Sequence, residues 1–487
     1  MTALPGLAIP GLTSSTPVSR APVLAAPPSF APPRTETVPA RSELRFEVAF
    51  NKILKIRVTK GTAEVFGTEL AHNVTYTFTG TKAAVFSWEG CSIEVQGDAE
   101  SEYVGSETDA MVEWLNVHGM LDTLREESGR NGGPRVLILG SESSGKSSLA
   151  KCLTAWAIKV GRTPTVLNLD PRESVLAVPS ALTATTYASQ MDVESSCWGQ
   201  SAISGPSAVP GRTPLIYHYP FASPSDNPSL YKSLTTRLAL AVTSKLEEDA
   251  QLKASGLILD TPPTLNRPQD AYDLAAHLIS EFSINVILTM GSERLYNDML
   301  RRYPASSNPD VPAILRVSNS PGAVAKDETF LKSYRAAQIR SYFFGDPLGG
   351  NGIALNPHSQ SLAFSEVAVY RAVNPNASSM TADFLPGVDE DDDEYDPTPT
   401  GNGMGGKGFE KIEPGQSLLN AIAAIKFASA GADQAQIRDA AVMGFVYVAE
   451  VDETKKRIRF LAPHPGRWGD RVLVVGEWPT GVGDLVS

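Results

Sequence analysis

Cysteine is scarce: Cys91, Cys152 and Cys197 are the only three in 487 residues. They lie far apart and form no CxxC pair, which excludes a disulfide framework and suits a reducing compartment. The six histidines are equally scattered, so no zinc-ligand spacing exists. No apolar run reaches the ~18 residues that a membrane span needs. The opening residues lack the cationic start and apolar core of a secretion signal. Basic residues are in deficit, 42 Lys+Arg against 54 Asp+Glu, for a formal net charge of −12. A whole-protein electrostatic grip on nucleic acid needs the opposite balance. There is no Gly-x-Ser-x-Gly elbow, which argues against one class of nucleophilic enzyme. The expectation is a soluble, intracellular protein with no membrane partner. Its 42% hydrophobic content is ample for packed cores, and its length allows about three domains.

The chain divides by composition. Residues 1–41 are rich in proline, with nine in the first 40, and read as a disordered tail. Residues 42–128 begin with short β-rich runs such as LRFEVAF, ILKIRVTKG and VTYTFTG, predicting six or seven strands. A helix follows over 109–127, with apolar residues at helical spacing. From 129 to 341 continuous apolar runs (RVLILG, TVLNLD, GLILD, NVILTMG) alternate with helical segments. That alternation is the pattern of a doubly wound α/β domain. One of those segments, LYKSLTTRLALAVTSKLEEDAQLKAS, reads as a single long helix. Residues 342–487 read as a small, mainly β, α+β domain. An acidic and glycine-rich insert over about 376–414 interrupts it, with seven acids in residues 389–396. Such a stretch cannot bury a core.

The most specific motif is GSESSGKS, from Gly140 to Ser147, a GxxxxGK[ST] phosphate loop. It follows an apolar strand and opens a helix, as the chemistry requires. Glycines let successive N–H groups turn inward around phosphate oxygens, and the helix N-terminus adds its positive end. Lys146 is expected on the terminal phosphates and the Ser147 hydroxyl on Mg²⁺. A second carboxylate should stand at a neighbouring strand tip. Asp170 (TVLNLD) and Asp260 (GLILD) are equal candidates on spacing. In GSERLYNDMLRRY, Arg294 and Arg301 stand two helical turns apart on one face, where an arginine lid or a solvated basic face both fit. The absence of an [NT]KxD motif argues against a GTPase switch.

The segments ELRFEV, GTAEVFGTEL, VFSWEGCSIEVQG, GSESSGKSS, NLDP, PLIYHY, GSERLYND and RSYFFG together resemble the pre-mRNA cleavage and polyadenylation factor branch, of fungal type, of the RNA 5′-hydroxyl polynucleotide kinase family. The similarity runs from about Glu43 to the C-terminus, apart from the acidic insert. The resemblance implies an N-terminal β-sandwich, a central P-loop domain and a smaller C-terminal domain, with ATP and Mg²⁺ between the first two. By that resemblance Glu43 and Lys82 hold the adenine end. Gly140, Ser143, Ser144, Gly145, Lys146, Ser147 and Ser148 hold the phosphates, Ser147 and Asp170 the metal, and Arg294 and Arg301 form the lid. It also implies a nuclear protein, with a partner that binds the RNA polymerase II tail, other cleavage and polyadenylation subunits, and indirect contact with pre-mRNA.

Two departures bear on activity. Kinase members follow the Asp170-equivalent with a variable residue and then Gly-Gln, where this chain has Pro171-Arg172-Glu173. An anion at Glu173 is unwelcome beside a reaction that gathers negative charge. Kinase members also carry an aromatic "GW" segment that offers a surface for an RNA base. Here the stretch is DTPPTLNRP. The expectation is an ATP-bound scaffold subunit. An active RNA 5′-hydroxyl kinase, with Asp170 as its catalytic carboxylate, is the alternative.

Overall fold

The computed structural model describes residues 32–106, 109–128, 132–195, 198, 213–270, 272–305, 311–345, 354–374, 408–466, 468–479, 483 and 485. The first domain holds nine strands: β1 (Arg34–Val38), β2 (Ser42–Val48), β3 (Leu54–Gly61), β4 (Glu64–Val65), β5 (Thr68–Glu69), β6 (Thr75–Phe78), β7 (Thr81–Ser87), β8 (Cys91–Gly97) and β9 (Ser101–Gly105). They form two sheets, ordered β1-β8-β3-β6 and β5-β4-β7-β2-β9. Alternation along β2 and β3 sends Leu44, Phe46, Val48, Leu54, Ile56 and Val58 into the space between them. Eight strands, β2 to β9, fall within the expected β region, one more than the upper expectation. β1 does not: it lies inside the stretch read as a tail, and pairs antiparallel with β8 along its whole length. The domain therefore begins at about Arg34. Proline content masked a strand whose partner lies more than fifty residues away.

Helix α1 (Asp109–Glu126) leads to the central domain: β10 (Arg135–Gly140), α2 (Lys146–Lys159), β11 (Thr165–Asn168), β12 (Ala181–Thr186), β13 (Leu215–His218), α3 (Pro228–Glu248), α4 (Ala250–Ser255), β14 (Leu257–Asp260), α5 (Asp273–Glu281), β15 (Val286–Met290), α6 (Glu293–Arg302), β16 (Ala313–Val317) and α7 (Glu328–Phe344). The sheet order is β13-β12-β11-β14-β10-β15-β16. The five strands from β11 to β16 are parallel, and β12 and β13 add an antiparallel edge. The segment read as one long helix is two. Asp249 adopts extended backbone between α3 and α4, and its carboxylate caps α4 by accepting from the N–H groups of Gln251 and Leu252.

The last domain is one seven-stranded sheet, ordered β17-β22-β21-β20-β23-β18-β19. Its elements are β17 (His358–Ala363), β18 (Ala368–Ala372), β19 (Phe409–Ile412), β20 (Ile422–Ser429), α8 (Gln434–Asp439), β21 (Val442–Asp452), β22 (Arg457–Ala462) and β23 (Arg471–Val475). β19 lies inside the stretch read as an insert, so the insert ends before Phe409. Residues 1–31 of the expected tail and 376–407 of the insert lie outside the described residues. α7 ends at Phe344, three residues beyond the expected boundary.

Apolar packing joins the three domains. Phe86 of β7, Trp114 and Leu121 of α1, and Leu149, Leu153 and Trp156 of α2 share one buried cluster, which seats the β-sandwich on the phosphate-loop helix. Ile339, Tyr342 and Phe343 of α7 share another with Phe445 and Tyr447 of β21, and the Phe445 N–H donates to the Tyr342 hydroxyl at 3.0 Å. Two basic groups are buried at this second interface. Burial holds Lys426 down at about 7, partly opposed by Asp439. Burial, and then the Lys426 charge, holds His218 down at about 3. Free lysine and histidine protonate near about 10.4 and 6.5. Between the folded and unfolded values the unfolded chain therefore binds the extra proton. Stability rises with pH from about 7 to about 10 through Lys426, and falls below about pH 6.5 through His218. Lys426→Met is expected to raise the melting temperature at pH 7.5 by a few degrees and to flatten its rise between pH 7 and 9. Thermal melts across that range decide it, an unchanged slope counting against the assignment.

Candidate functional site

The parallel strands end at one edge, and there the loop between β10 and α2 forms a cleft with the β-sandwich. Ser143 (φ 55°) and Gly145 (φ 91°) both have left-handed backbone. That turn aims successive N–H groups at one point above the α2 N-terminus. The Lys146 ammonium is 7% exposed and donates to the carbonyls of Gly140 at 3.0 Å and Ser141 at 2.7 Å. Burial pulls its pKa down, and Asp260, Asp170, Glu173 and Glu142 pull it up. Ser144 is buried and its hydroxyl donates to the Ser141 carbonyl, bracing the loop.

The Ser147 hydroxyl donates to Asp260 Oδ2 at 2.6 Å. Sequence spacing left Asp170 and Asp260 level, and the resemblance favoured Asp170 for the metal. The structure brings Asp260 to the phosphate-loop serine. β11 ends at Asn168, so Asp170 lies two residues beyond the strand tip, on the cleft wall. Burial, reinforced by Glu173 and then Asp260, pushes Asp170 up to about 7. Burial also raises Asp260, against the Ser147 hydrogen bond and Lys146. Asp260 Oδ1 and Asn168 Oδ1 are buried oxygens with no hydrogen-bond partner among the described residues. This oxygen-only donor set fits Mg²⁺, which binds through one or two carboxylates plus phosphate and water. Among the described residues there is no group of three or more His, Cys, Asp and Glu side chains placed to hold a metal alone.

The cleft has a volume of about 200 Å³. Ser143 to Ser148 line one end and Glu43, Arg45 and Tyr103 of the β-sandwich the other, with Trp114 and the 320–326 loop along the sides. Glu43 is 4% exposed and accepts from Arg45 Nε at 2.5 Å. Burial raises its pKa and Arg45 lowers it. Lys82 pairs with Glu47 at 2.8 Å and reaches the Ala325 carbonyl at 3.4 Å, bridging the two domains.

Glu43, Lys82, Ser143 to Ser148 and Asp170 thus meet in one place; Gly140 does not line the cleft, but its carbonyl accepts from Lys146 and Asn266. Arg294 and Arg301 do not line the cleft. Both are exposed on α6 and both pair with Asp298, at 3.8 and 3.4 Å. Sequence reasoning passed over Arg45, Asn266 and Lys326. Arg45 and Lys326 line the cleft from different elements, Arg45 from within ELRFEV, and the Asn266 amide donates to the Gly140 carbonyl.

The departures from the kinase pattern have partners. Glu173 is paired with Lys326, and Arg172 with Glu328 at 3.1 Å, so both side chains are tied to the entry of α7. Beyond them a recess of about 120 Å³ continues from Ser147 and Ser148, lined by Lys151, Trp198, Phe330 and Tyr334. Trp198 is buried, and the Lys151 ammonium lies 5.7 Å from the centre of its ring.

The chain matches three family descriptions in order: the N-terminal beta-sandwich domain of polyadenylation factor (residues 37–128), the mRNA cleavage and polyadenylation factor CLP1 P-loop (140–345), and pre-mRNA cleavage complex II protein Clp1 (355–480). The mRNA cleavage and polyadenylation factor clp1 of Botryotinia fuckeliana is 46% identical, over 90% of this chain and 92% of that protein. Its counterpart in Phaeosphaeria nodorum is 42% identical, over 93% and 95%. Among solved structures, a wild-type Clp1p–Pcf11p complex is similar at 25% identity and a TM-score of 0.80, over 92% of this chain and 98% of that one. A second, equally similar, describes an extended Pcf11p–Clp1p interface and the structural basis for ATP loss in a point mutant.

Proposed function

The chain belongs to the CLP1 family of mRNA cleavage and polyadenylation factors, and from that premise we propose that it holds ATP with Mg²⁺ as a structural ligand and does not transfer its phosphate. The observation that carries the proposal is the contrast across one cleft. The phosphate loop keeps Lys146 and the Ser147–Asp260 contact, while Arg172 and Glu173, which would face an acceptor, are tied up in ion pairs with Glu328 and Lys326. Ser147 and Asp260, with Asp170 beside them, would hold the metal, which supplies charge neutralisation at the phosphates. Glu43 and Lys82 would hold the base end. Arg294 and Arg301 would reach the phosphates only after leaving Asp298.

A ligand seated between the β-sandwich and the P-loop domain stabilises both by mass action, by about 2.7 kcal/mol when its concentration is 100 times Kd. The reading divides the chain into a β-sandwich (about 34–128), a P-loop domain (about 129–344) and a C-terminal domain. So organised, it would present a surface to a Pcf11-like subunit that binds the RNA polymerase II tail, and to other cleavage and polyadenylation subunits. It would work in the nucleus and reach pre-mRNA through them.

One observation favours the kinase reading: the recess beside Ser147 offers lysines and aromatic rings, the usual materials of a single-strand site. Binding titrations with a 5′-hydroxyl RNA oligonucleotide separate the two. The scaffold reading expects no ATP-dependent binding, whereas tight binding abolished by Trp198→Ala supports the kinase.

A further inference from the structure

The short loop after β11 carries Asp170, Arg172 and Glu173 on the cleft wall, and its back is held by the far end of the chain. Trp478 Nε1 donates to the Pro171 carbonyl at 3.1 Å, across 307 residues of sequence. The same carbonyl accepts from the Ser180 N–H at 2.9 Å. The Arg335 guanidinium lies 4.8 Å from the centre of the Trp478 ring. Arg335, 7% exposed, pairs with Glu328 at 2.6 Å, and Glu328 pairs with Arg172 at 3.1 Å.

These contacts close a circuit. It leaves the loop at Pro171, passes through Trp478, Arg335 and Glu328, and returns at Arg172, one residue on. Gln338, about one helical turn beyond Arg335, donates to the carbonyls of Ser174 and Ala177 and fixes the next stretch. The C-terminal segment has little freedom to give way. The Trp478 N–H donates to the Pro220 carbonyl at 3.2 Å. A Cβ on Gly476 would stand 2.2 Å from the Pro220 Cβ, so the backbones approach at a distance only glycine allows.

We infer that Trp478 is a positioning residue for the nucleotide: through Pro171 and Arg335 the C-terminal domain sets the wall formed by Asp170, Arg172 and Glu173, and so couples its own docking to nucleotide affinity. The inference rests on the nucleotide-binding reading above. It also gives Arg172 and Glu173 a use, since the side chains that depart from the kinase pattern anchor this wall. Coupling is reciprocal: a C-terminal domain that favours bound nucleotide must itself be held more firmly when nucleotide is present.

The test uses the full chain, with Mg-ATP as the probe. Trp478→Phe removes the Nε1 donor and keeps an aromatic face under Arg335. Trp478→Ala removes both. Coupling residues outside a site shift affinity by about 2- to 30-fold, so W478F is expected near the low end and W478A near the high end. The second readout is hydrogen exchange of the 471–477 amides. ATP should slow it in the wild type and leave it unchanged in W478A, a response that a merely structural tryptophan has no reason to lose. Arg172→Met combined with W478A should weaken ATP binding by less than the product of the two separate effects, because both open one circuit. If W478A does not fold, W478F carries the same two readouts. Wild-type ATP affinity in a folded W478A, or exchange at 471–477 indifferent to ATP in the wild type, overturns the inference. Failure of the wild type itself to bind ATP would sink the nucleotide reading first, and is seen before any Trp478 variant is made.

Discussion

Replacing Lys146 by alanine is expected to strip the protein of nucleotide, weakening ATP binding by about 30-fold to several thousandfold, the equivalent of about 2–5 kcal/mol for truncating one partner of a buried, hydrogen-bonded charge pair. The magnitude follows from burial. The ammonium is 7% exposed and already spends two hydrogen bonds on the carbonyls of Gly140 and Ser141. It therefore stands poised over the loop, and a phosphate oxygen arriving there meets a desolvated cation. The same variant should lose the rise in melting temperature that ATP confers on the wild type. Calorimetric titration and thermal melts with and without Mg-ATP check both. Unaltered affinity would mean that the cleft holds its ligand by some other contact.

The second large effect is expected at Asp260. Asp260→Asn should abolish the gain in ATP affinity that Mg²⁺ provides, a loss of about 10- to 100-fold, the cost typical of removing a group that orients a metal's ligands. It should leave binding in the presence of a chelator unchanged or slightly tighter, because one negative charge has gone from beside the phosphates. The basis is the 2.6 Å hydrogen bond from Ser147 to Asp260 and the unpartnered Asp260 Oδ1. Asp170→Asn should produce a smaller loss, since the Ser147 hydroxyl contacts Asp260, whereas Asp170 stands two residues beyond the β11 tip. Titrations with Mg²⁺ and with chelator on the two variants decide between the carboxylates. A full loss in the Asp170 variant alone would return the metal to the position that the family resemblance gave it.

What the sequence makes legible is local chemistry. The phosphate loop is a contiguous stretch of eight residues whose strand-turn-helix setting can be read from its neighbours. The β-sandwich strands announce themselves by alternation, and β10, β14 and β15 by unbroken apolar runs. Elements whose existence depends on a remote partner stay hidden. β1 exists because β8 is there to pair with it, and β19 because β18 is. Glu43 and Lys82 look like ordinary strand residues, and only the resemblance singles them out. Asp260 is visible as a strand tip, but its contact with Ser147 depends on which strand lies beside β10, a matter of sheet order. The tie between Trp478 and Pro171 is beyond any reading by spacing. The two departures at Arg172 and Glu173 were read as losses. Their ion pairs with Glu328 and Lys326 give them a structural role, an arrangement that only the folded chain displays.

On the proposed reading the nucleotide is held and not spent. Incubating the purified protein with γ-labelled ATP and a 5′-hydroxyl RNA oligonucleotide tests it most directly, with the bound nucleotide extracted and identified in the same experiment. The account predicts intact ATP recovered at about one per chain, in the range expected for a saturated single site, and no label on the RNA. Label transferred to the RNA by the wild type and abolished by Lys146→Ala would contradict it.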